Sequence, residues 1–231
     1  MSLHLQRQIS SLKKLLLTLG TQVEEALRTS IEAVAERDPA AAARVVSGDV
    51  GIDQNEVDLE EECLHTLALH QPVAFDLRYI VATLKIDSEL ERIGDLSVNI
   101  ADLAILLSYE PPLEKAPLDL RGMSDAVTTM LQNSLDALVN IDPDLAEEVR
   151  RRDDTVDRMH RDTYLRVERA IRTDPELVQP YIHFLGVSRH LERAADHTVN
   201  IAEDVIYMAR GEITRHNRPH PLTDRPEPTG E

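Results

Sequence analysis

The sequence predicts an all-α protein in which six long helices form two tandem, pseudo-symmetric three-helix bundles. Three observations lead to this prediction. Only 3% of the 231 residues are aromatic while 42% are hydrophobic, so the core must consist of Leu, Ile, Val and Ala, which are typical of helical bundles. Apolar residues recur every three or four positions over long stretches, which is the period of an amphipathic helix. One segment of the first half also returns, almost unchanged, in the second half.

The repeated segment is LERIGDLSVNIA at residues 90–101 and LERAADHTVNIA at residues 191–202, an offset of 101 residues. This similarity is too extensive to arise by chance and indicates an internal duplication. Residues four apart lie on the same side of a helix, so each copy presents a narrow polar face. The two faces consist of Glu91, Asp95 and Asn99 in the first half and of Glu192, Asp196 and Asn200 in the second half.

The first half contains three helix patterns separated by two proline signals. Asp38-Pro39 predicts the start of the second helix, because Asp is a favourable N-cap and Pro is tolerated at the first helical position. Pro72 predicts that this helix ends just before it, near His70, since the residue preceding a proline is disfavoured in a helix. The predicted helices of the first half span residues 5–37, 39–70 and 75–108.

The second half repeats this order after a linker. Three prolines between Glu110 and Pro117 preclude a helix there, and Asp142-Pro143 then matches the earlier Asp-Pro pair at an offset of 104. We expect all six helices to have about 30 residues, with Gly211 ending the last one. The predicted organisation is a first three-helix repeat at residues 1–110, a linker at 111–117, a second repeat at 118–211 and a mobile tail at 212–231.

The charge of the chain restricts its partners. A net charge of −17 argues against binding to nucleic acid or to anionic membranes, both of which depend on Lys and Arg, and it favours cationic partners. No apolar stretch approaches the roughly 18–20 residues that span a bilayer, and the apolar run at residues 15–19 is too short for a secretory signal. We therefore expect a cytoplasmic protein without membrane insertion.

Each half also carries a pair of aspartates, four residues apart, on its second helix. These pairs are Asp49 with Asp53 and Asp153 with Asp157. Short connections make the second and third helices of a half antiparallel neighbours, so each aspartate pair could lie opposite the polar face of the next helix. Carboxylate and amide oxygens suit hard cations such as Mg²⁺, Mn²⁺, Ca²⁺ or iron. The sequence thus predicts two cation sites, one in each half.

Two other interpretations of the acidic faces stay open. Acidic pairs in such an acidic chain are commonly solvated surface, and Arg92 and Arg193 beside the faces could neutralise them without any metal, which would make the protein a metal-free helical scaffold. A ferritin-like carboxylate metal store or oxidase needs Glu-x-x-His on two helices, whereas this spacing occurs only from Glu62 to His65.

The longer segments around the repeat, QPVAFDLRYIVATLKIDSELERIGDLSVNIA and RHLERAADHTVNIAEDVIYMARGE, resemble the two motif regions of the PhoU family. The resemblance covers about residues 5–211. It implies two three-helix bundles, Glu/Asp-x-x-x-Asp motifs that carry metal clusters, frequent homodimers and no enzymatic activity. It also implies a negative regulator of the phosphate-starvation response that acts between the ATPase subunit of a phosphate importer and a phosphate-sensing histidine kinase.

The family motifs fall on the ten residues of the predicted sites, with some departures. Gly94 of the first half is replaced by Ala195, and His197 follows Asp196. Glu56 is replaced by His160, so the two sites could differ in metal or occupancy. Helix capping or a partner surface is expected for three matching residues that have no copy in the second half, Gln71, Asp76 and Arg78.

Overall fold

A computed structural model describes residues 3–114, 116–117 and 119–211 of the chain. In this part of the chain all regular structure is helical, which confirms the predicted all-α fold. The expected mobile tail at 212–231 lies outside the described residues. The helices are α1 (Leu3–Glu36), α2 (Pro39–His70), α3 (Ala74–Tyr109), α4 (Leu120–Asn140), α5 (Pro143–Thr173) and α6 (Val178–Arg210), with a short 3₁₀ turn at Pro175–Leu177.

The helices form two bundles that share one core. Helices α1, α2 and α3 pack on one another, as do α4, α5 and α6, and the bundles meet where α3 packs on α6 and α1 on α4. The buried apolar side chains form one continuous cluster across both bundles. Within the described residues, α2 touches only α1 and α3, while α5 touches only α4, α6 and the 3₁₀ turn. Helices α2 and α5 therefore lie on opposite edges of the molecule.

The predicted helix ends are confirmed at the Asp-Pro pairs. The carboxylate of Asp38 accepts hydrogen bonds from two backbone N–H groups of the first turn of α2, at 2.8 and 3.1 Å. Asp142 caps α5 in the same way, with both distances at 3.0 Å. Gln71 ends α2 in the left-handed conformation with φ 44°, and Gly211 ends α6 with φ 74°. Local capping chemistry thus sets these boundaries.

The expectation of six helices of similar length is wrong for α4. This helix has 21 residues, whereas α1 has 34. The proline-containing linker delays its start to Leu120, where Asp119 caps it by accepting a hydrogen bond from the Gly122 N–H at 3.1 Å. At the offset of 104 residues, Leu120 corresponds to Leu16, so residues 3–15 of α1 have no counterpart in the second half.

The α1–α4 contact is close and antiparallel. A Cβ atom placed on Gly20 would lie 2.9 Å from Cδ2 of Leu135, so the two helices approach at a position where α1 lacks a side chain. Nearer the start of α1, the Lys13 ammonium donates a hydrogen bond to the backbone oxygen of Val139 at 2.7 Å. A cation at the carboxyl end of α4 is favourable because unpaired carbonyl groups are concentrated there.

Basic residues of α3 contact the last turns of α6. Lys85 lies 3.5 Å from the buried carboxylate of Asp204 and 5.2 Å from the ring centroid of Tyr207. Arg78 donates a hydrogen bond from Nε to the backbone oxygen of Met208 at 3.4 Å. Arg78 is thus one of the contacts between the two bundles. No helix in the described ranges is long and apolar enough to cross a membrane.

Candidate cation-binding faces

In the first half, α2 and α3 place the predicted carboxylates along their common edge. Asp49 and Glu91 are half-buried, whereas Asp53 and Asp95 are exposed. A Cβ atom placed on Gly94 would lie 3.8 Å from Oδ1 of Asp49, so this aspartate on α2 is adjacent to the backbone of α3. The structure therefore brings the aspartate pair of α2 next to the polar face of α3, as predicted.

Burial, together with repulsion from neighbouring carboxylates, raises the pKa of Asp49 and of Glu91. Burial, followed by the charges of Asp53 and Asp95, raises the pKa of Asp49. Burial also raises the pKa of Glu91, with Asp95 as the next cause and Arg92 opposing the shift. In the described structure none of these four carboxylates forms an ion pair within 4.0 Å. A cluster of carboxylates that destabilise one another is the donor set that a hard cation would stabilise.

Arg92 does not neutralise the first face directly. Its Nη1 lies 3.7 Å from Oε1 of Glu89, one turn away, and its ion pair is with this residue. Asn99, at the end of the face, is exposed and donates a hydrogen bond from Nδ2 to the backbone oxygen of Asp95 at 2.9 Å. In the described part of the first half, Arg92 therefore forms no direct ion pair with the carboxylates of the acidic face.

The second acidic face is less exposed than the first. Asp153 on α5 is only 6% exposed, and Asp157, Glu192 and Asp196 are half-buried. Burial raises the pKa of Glu192, followed by the charges of Asp157 and Asp153, while nearby arginines, including Arg193, oppose the shift. The carboxylates of α5 and α6 are therefore within electrostatic reach of one another, as the carboxylates of α2 and α3 are.

Asn200 contacts the other half of the molecule. Its Nδ2 donates a hydrogen bond to Oε2 of Glu89 on α3 at 2.9 Å, and Nδ1 of His197 lies 2.6 Å from the same oxygen. Burial alone would raise the pKa of Glu89, but the hydrogen bonds from His197 and Asn200 outweigh it and lower that pKa. Asn200 and His197 thus form part of the α3–α6 interface.

The predicted ligands are not gathered around a single point. Among the residues that the structure describes, no three His, Cys, Asp or Glu side chains are placed so that they could hold one metal ion together. The oxygen donors match the chemistry of a hard cation. Binding would therefore require the side chains to rotate towards one another, which is least restricted for the exposed Asp53 and Asp95 and most restricted for Asp153, which is 6% exposed.

A buried carboxylate that the sequence did not predict lies next to the first face. Asp87 on α3 is completely buried, and neither of its side-chain oxygens has a hydrogen-bond partner. Burial, with smaller contributions from neighbouring glutamates of which Glu56 is the largest, raises its pKa to about 8. Asp87 lies one turn before Glu91, so extending the four-residue spacing towards the amino end of α3 would have identified it.

In the second half, the positions that match Asp87 and Glu56 carry a serine and a histidine instead of carboxylates. Ser188 replaces Asp87 at the offset of 101, and His160 replaces Glu56 at the offset of 104. The Ser188 hydroxyl and Nδ1 of His160 are 2.9 Å apart, which shows that these two positions face each other across the helix pair. The first half therefore has two carboxylates where the second half has a hydrogen-bonded pair.

The Glu-x-x-His spacing of the ferritin-like alternative lies at the surface of α2. Oε2 of Glu62 and Nδ1 of His65 are 4.0 Å apart, and the His65 side chain is 58% exposed. No third ligand-type side chain of the described residues joins them in a metal-binding arrangement. The structure adds nothing that favours this alternative.

Fold and site together define a class of all-α proteins in which two tandem three-helix bundles each carry an acidic helix face. A family model described as the PhoU domain matches the chain twice, at residues 16–104 and 120–205, and these ranges include all ten predicted site residues. The chain belongs to the PhoU family.

Curated relatives and solved structures agree with this assignment. A protein of Aquifex aeolicus named "Phosphate-specific transport system accessory protein PhoU homolog" is 38% identical over 91% of this chain and 95% of its own length. A protein of Pseudomonas putida with the same name is 35% identical over 90% of this chain and 82% of its own length. The crystal structure of PhoU from Pseudomonas aeruginosa superposes with a TM-score of 0.87 at 34% identity, covering 90% of this chain and 99% of that one. The crystal structure of the phosphate transport system regulatory protein PhoU from Streptococcus pneumoniae superposes with a TM-score of 0.83 at 27% identity, covering 90% of this chain and 98% of that one.

Proposed function

We propose that this chain is an accessory protein of a phosphate-specific transport system and a negative regulator of the phosphate-starvation response. The observation that carries the proposal is the similarity to curated relatives with that name over 91% of the chain, together with the match of the family to both halves. The repeated acidic motifs lie inside the matched ranges, so the similarity includes the residues of the candidate sites.

In this role the protein acts as a cytoplasmic adaptor, and we expect it to form a homodimer. It binds the ATPase subunit of the phosphate importer and a phosphate-sensing histidine kinase, and it keeps the kinase from activating starvation genes when phosphate is plentiful. The net charge of −17 supports recognition of basic partner surfaces, because complementary charge increases association rate and specificity. The role requires no catalytic step.

We also propose that each acidic face binds a divalent or iron cation. A cation bound there would supply the positive charge that offsets repulsion between carboxylates on neighbouring helices. Asp49 and Asp53 of α2 would then be tied to the polar face of α3, and Asp153 and Asp157 of α5 to that of α6. The complete predicted sets are Asp49, Asp53, Glu91, Asp95 and Asn99, and Asp153, Asp157, Glu192, Asp196 and Asn200.

A metal-free helical scaffold is the second candidate. It is favoured by the finding that, in the described part of the chain, no three ligand-type side chains converge on one point. In that case the acidic faces act only as charged surfaces for partners. Both candidates retain the adaptor role and differ in whether cations stabilise the fold.

The regulatory role is tested by deleting the gene and measuring a phosphate-starvation reporter in phosphate-rich medium. We expect the reporter to be active in the deletion strain and to be silenced again when the wild-type gene is restored on a plasmid. A reporter that stays silent after every copy of such a gene has been deleted would contradict the proposal.

A further inference from the structure

Helix α2 carries an apolar seam on the side that faces away from the rest of the protein. Val46, Val50, Val57 and Leu64 form this α2 seam, with exposed fractions of 37%, 72%, 43% and 51%. At 100° per residue the four side chains lie within about 40° of one another on the helix. The buried residue Ile52 lies on the opposite side, towards α1 and α3. The seam is therefore not part of the core.

The spacing of the seam suits a helical partner. Val50, Val57 and Leu64 are seven residues apart, which is the repeat that keeps one apolar line facing a second helix. From Val46 to Leu64 the seam extends for about 27 Å, or about five helical turns. A partner helix of similar length with its own apolar seam would cover it.

The flanks of the seam are acidic. Glu60 lies on one side and Asp58 and Glu61 on the other, and all three are exposed. The whole of α2 contains one Lys or Arg residue, Arg44, against seven acidic residues. A partner helix that covers the seam would therefore need Lys or Arg beside its apolar residues, in the manner of paired charges along a coiled coil.

The second half shows that the fold itself does not require this seam. At the offset of 104 residues, every seam position is charged in the second half: Arg150, Asp154, Arg161 and Glu168. Both helices occupy equivalent outer positions in their bundles, so the difference belongs to the sequence of α2 and not to the architecture.

A second copy of this chain is a poor occupant of the seam. Pairing α2 with α2 would bring two strongly acidic helices together. The outer face of α5 mixes basic and acidic side chains, such as Arg158 and Asp154, and its central apolar residue, Leu165, forms no seam. Helices α2 and α5 lie on opposite edges, so an α2–α5 contact between two copies would leave one α2 and one α5 uncovered. Further copies could then add at both ends, and the contact would not give a closed oligomer.

We infer that the α2 seam binds a basic amphipathic helix of a partner protein, so that apolar contacts along the seam are framed by ion pairs with the acidic flanks. This inference rests on the proposed adaptor function, for which it supplies a partner surface. Binding of an amphipathic helix to such a surface depends on anchors at helical spacing, and the seam residues would provide the matching contacts.

The test uses the full-length protein and a labelled synthetic helix of 21 residues, with leucine at heptad seam positions and lysine or arginine on both flanks. We expect fluorescence anisotropy to show binding to the wild type, and at least tenfold weaker binding to the double variant V57S/L64S. The matched control Y164S/L165S removes two exposed apolar side chains from α5, at 56% and 47% exposure, and should bind within twofold of the wild type. Circular dichroism checks that both variants remain folded.

Several results would overturn the inference: a wild type that does not bind the peptide, equal binding to V57S/L64S, or equal binding of a peptide with glutamate on its flanks. Light scattering that shows wild-type self-association abolished by V57S/L64S would assign the seam to a second copy instead. None of these results depends on the starvation reporter, so the docking surface and the regulatory role can fail separately.

Discussion

At the scale of single residues, Asp87 is the most unusual feature of the first half. It is completely buried without a hydrogen-bond partner, and the acidic residues Glu56 and Glu60 of α2 and Glu91 of α3 act on it. Cys63, also buried, is its neighbour, and burial followed by the charge of Asp87 raises the pKa of this thiol to about 12. A carboxyl group in such surroundings is much more stable when protonated.

Replacing Asp87 by Asn should therefore make the protein more stable at neutral and alkaline pH. The pKa of Asp87 rises from 3.8 to about 8 on folding, so the native state holds this proton more tightly. The contribution of Asp87 to the stability of the wild type is therefore lost as pH rises from about 4 to about 8, and the neutral amide removes this loss. In chelator, we expect the melting temperature of D87N to exceed that of the wild type only slightly at pH 4.5, and the difference to be larger by about 4 °C or more at pH 8.

The exposed residue Asp102 on the same helix provides the control, because D102N removes an equal charge from a solvated position. Its melting temperature should follow that of the wild type across the pH range. Parallel pH profiles for the wild type and D87N would show that Asp87 is not the source of the pH dependence.

At the scale of helices, the Asp-Pro pairs show how local chemistry fixes an element. In both halves the aspartate accepts hydrogen bonds from the first turn, and proline occupies a position where its missing N–H group costs nothing. D142A should lose the cap of α5 and destabilise the protein by about 1 kcal/mol, which lowers the melting temperature by about 2–4 °C.

The control for this prediction is D162A, which replaces an exposed aspartate within α5. It should leave the melting temperature within about 1 °C of the wild type, since surface substitutions away from special contacts have small effects. An unchanged melting temperature for D142A would mean that the end of α5 is held by packing and not by its cap.

Some helix properties could not be predicted from the sequence. The boundaries of α2 and the end of α6 follow from Asp, Pro and Gly residues that act over a few positions, so they were predictable. The length of α4 was not, because the repeat suggested equal helices and the linker displaced its start to Leu120. The close approach at Gly20 depends on Leu135, more than 100 residues away, and no local pattern reports such a contact.

At the scale of the whole molecule, the sequence predicted which residues share a helix face but not what each face meets. Asp49 and Glu91 lie on adjoining helices, as the antiparallel arrangement implied. Asn200 has the same spacing, yet it contacts Glu89 because α3 and α6 pack together across the duplication. A repeat predicts the fold of each half, whereas this interface also depends on Glu89 and His197, which the other copy replaces by His190 and Leu96.

At the proposed sites, a bound cation would join the acidic faces of neighbouring helices. The variants D95N and D196N distinguish this proposal from the metal-free scaffold. Asp95 raises the pKa of both Asp49 and Glu91, so its neutralisation relieves repulsion in the metal-free protein. Without metal, D95N should melt at the same or a higher temperature than the wild type. The matched variant D162N, an exposed position outside the predicted sites, should show no change with or without metal.

The most direct test of the cation-binding faces is a thermal melt of wild type, D95N and D196N in chelator and then in excess Mg²⁺, Mn²⁺ or Fe²⁺. A cation that binds only the folded state adds about 2.7 kcal/mol of stability at a hundredfold excess over its dissociation constant. We expect a higher melting temperature for the wild type with at least one of these metals and loss of most of this gain in both variants. A wild type that is indifferent to every metal, together with variants destabilised in chelator, would contradict this expectation and favour the metal-free scaffold.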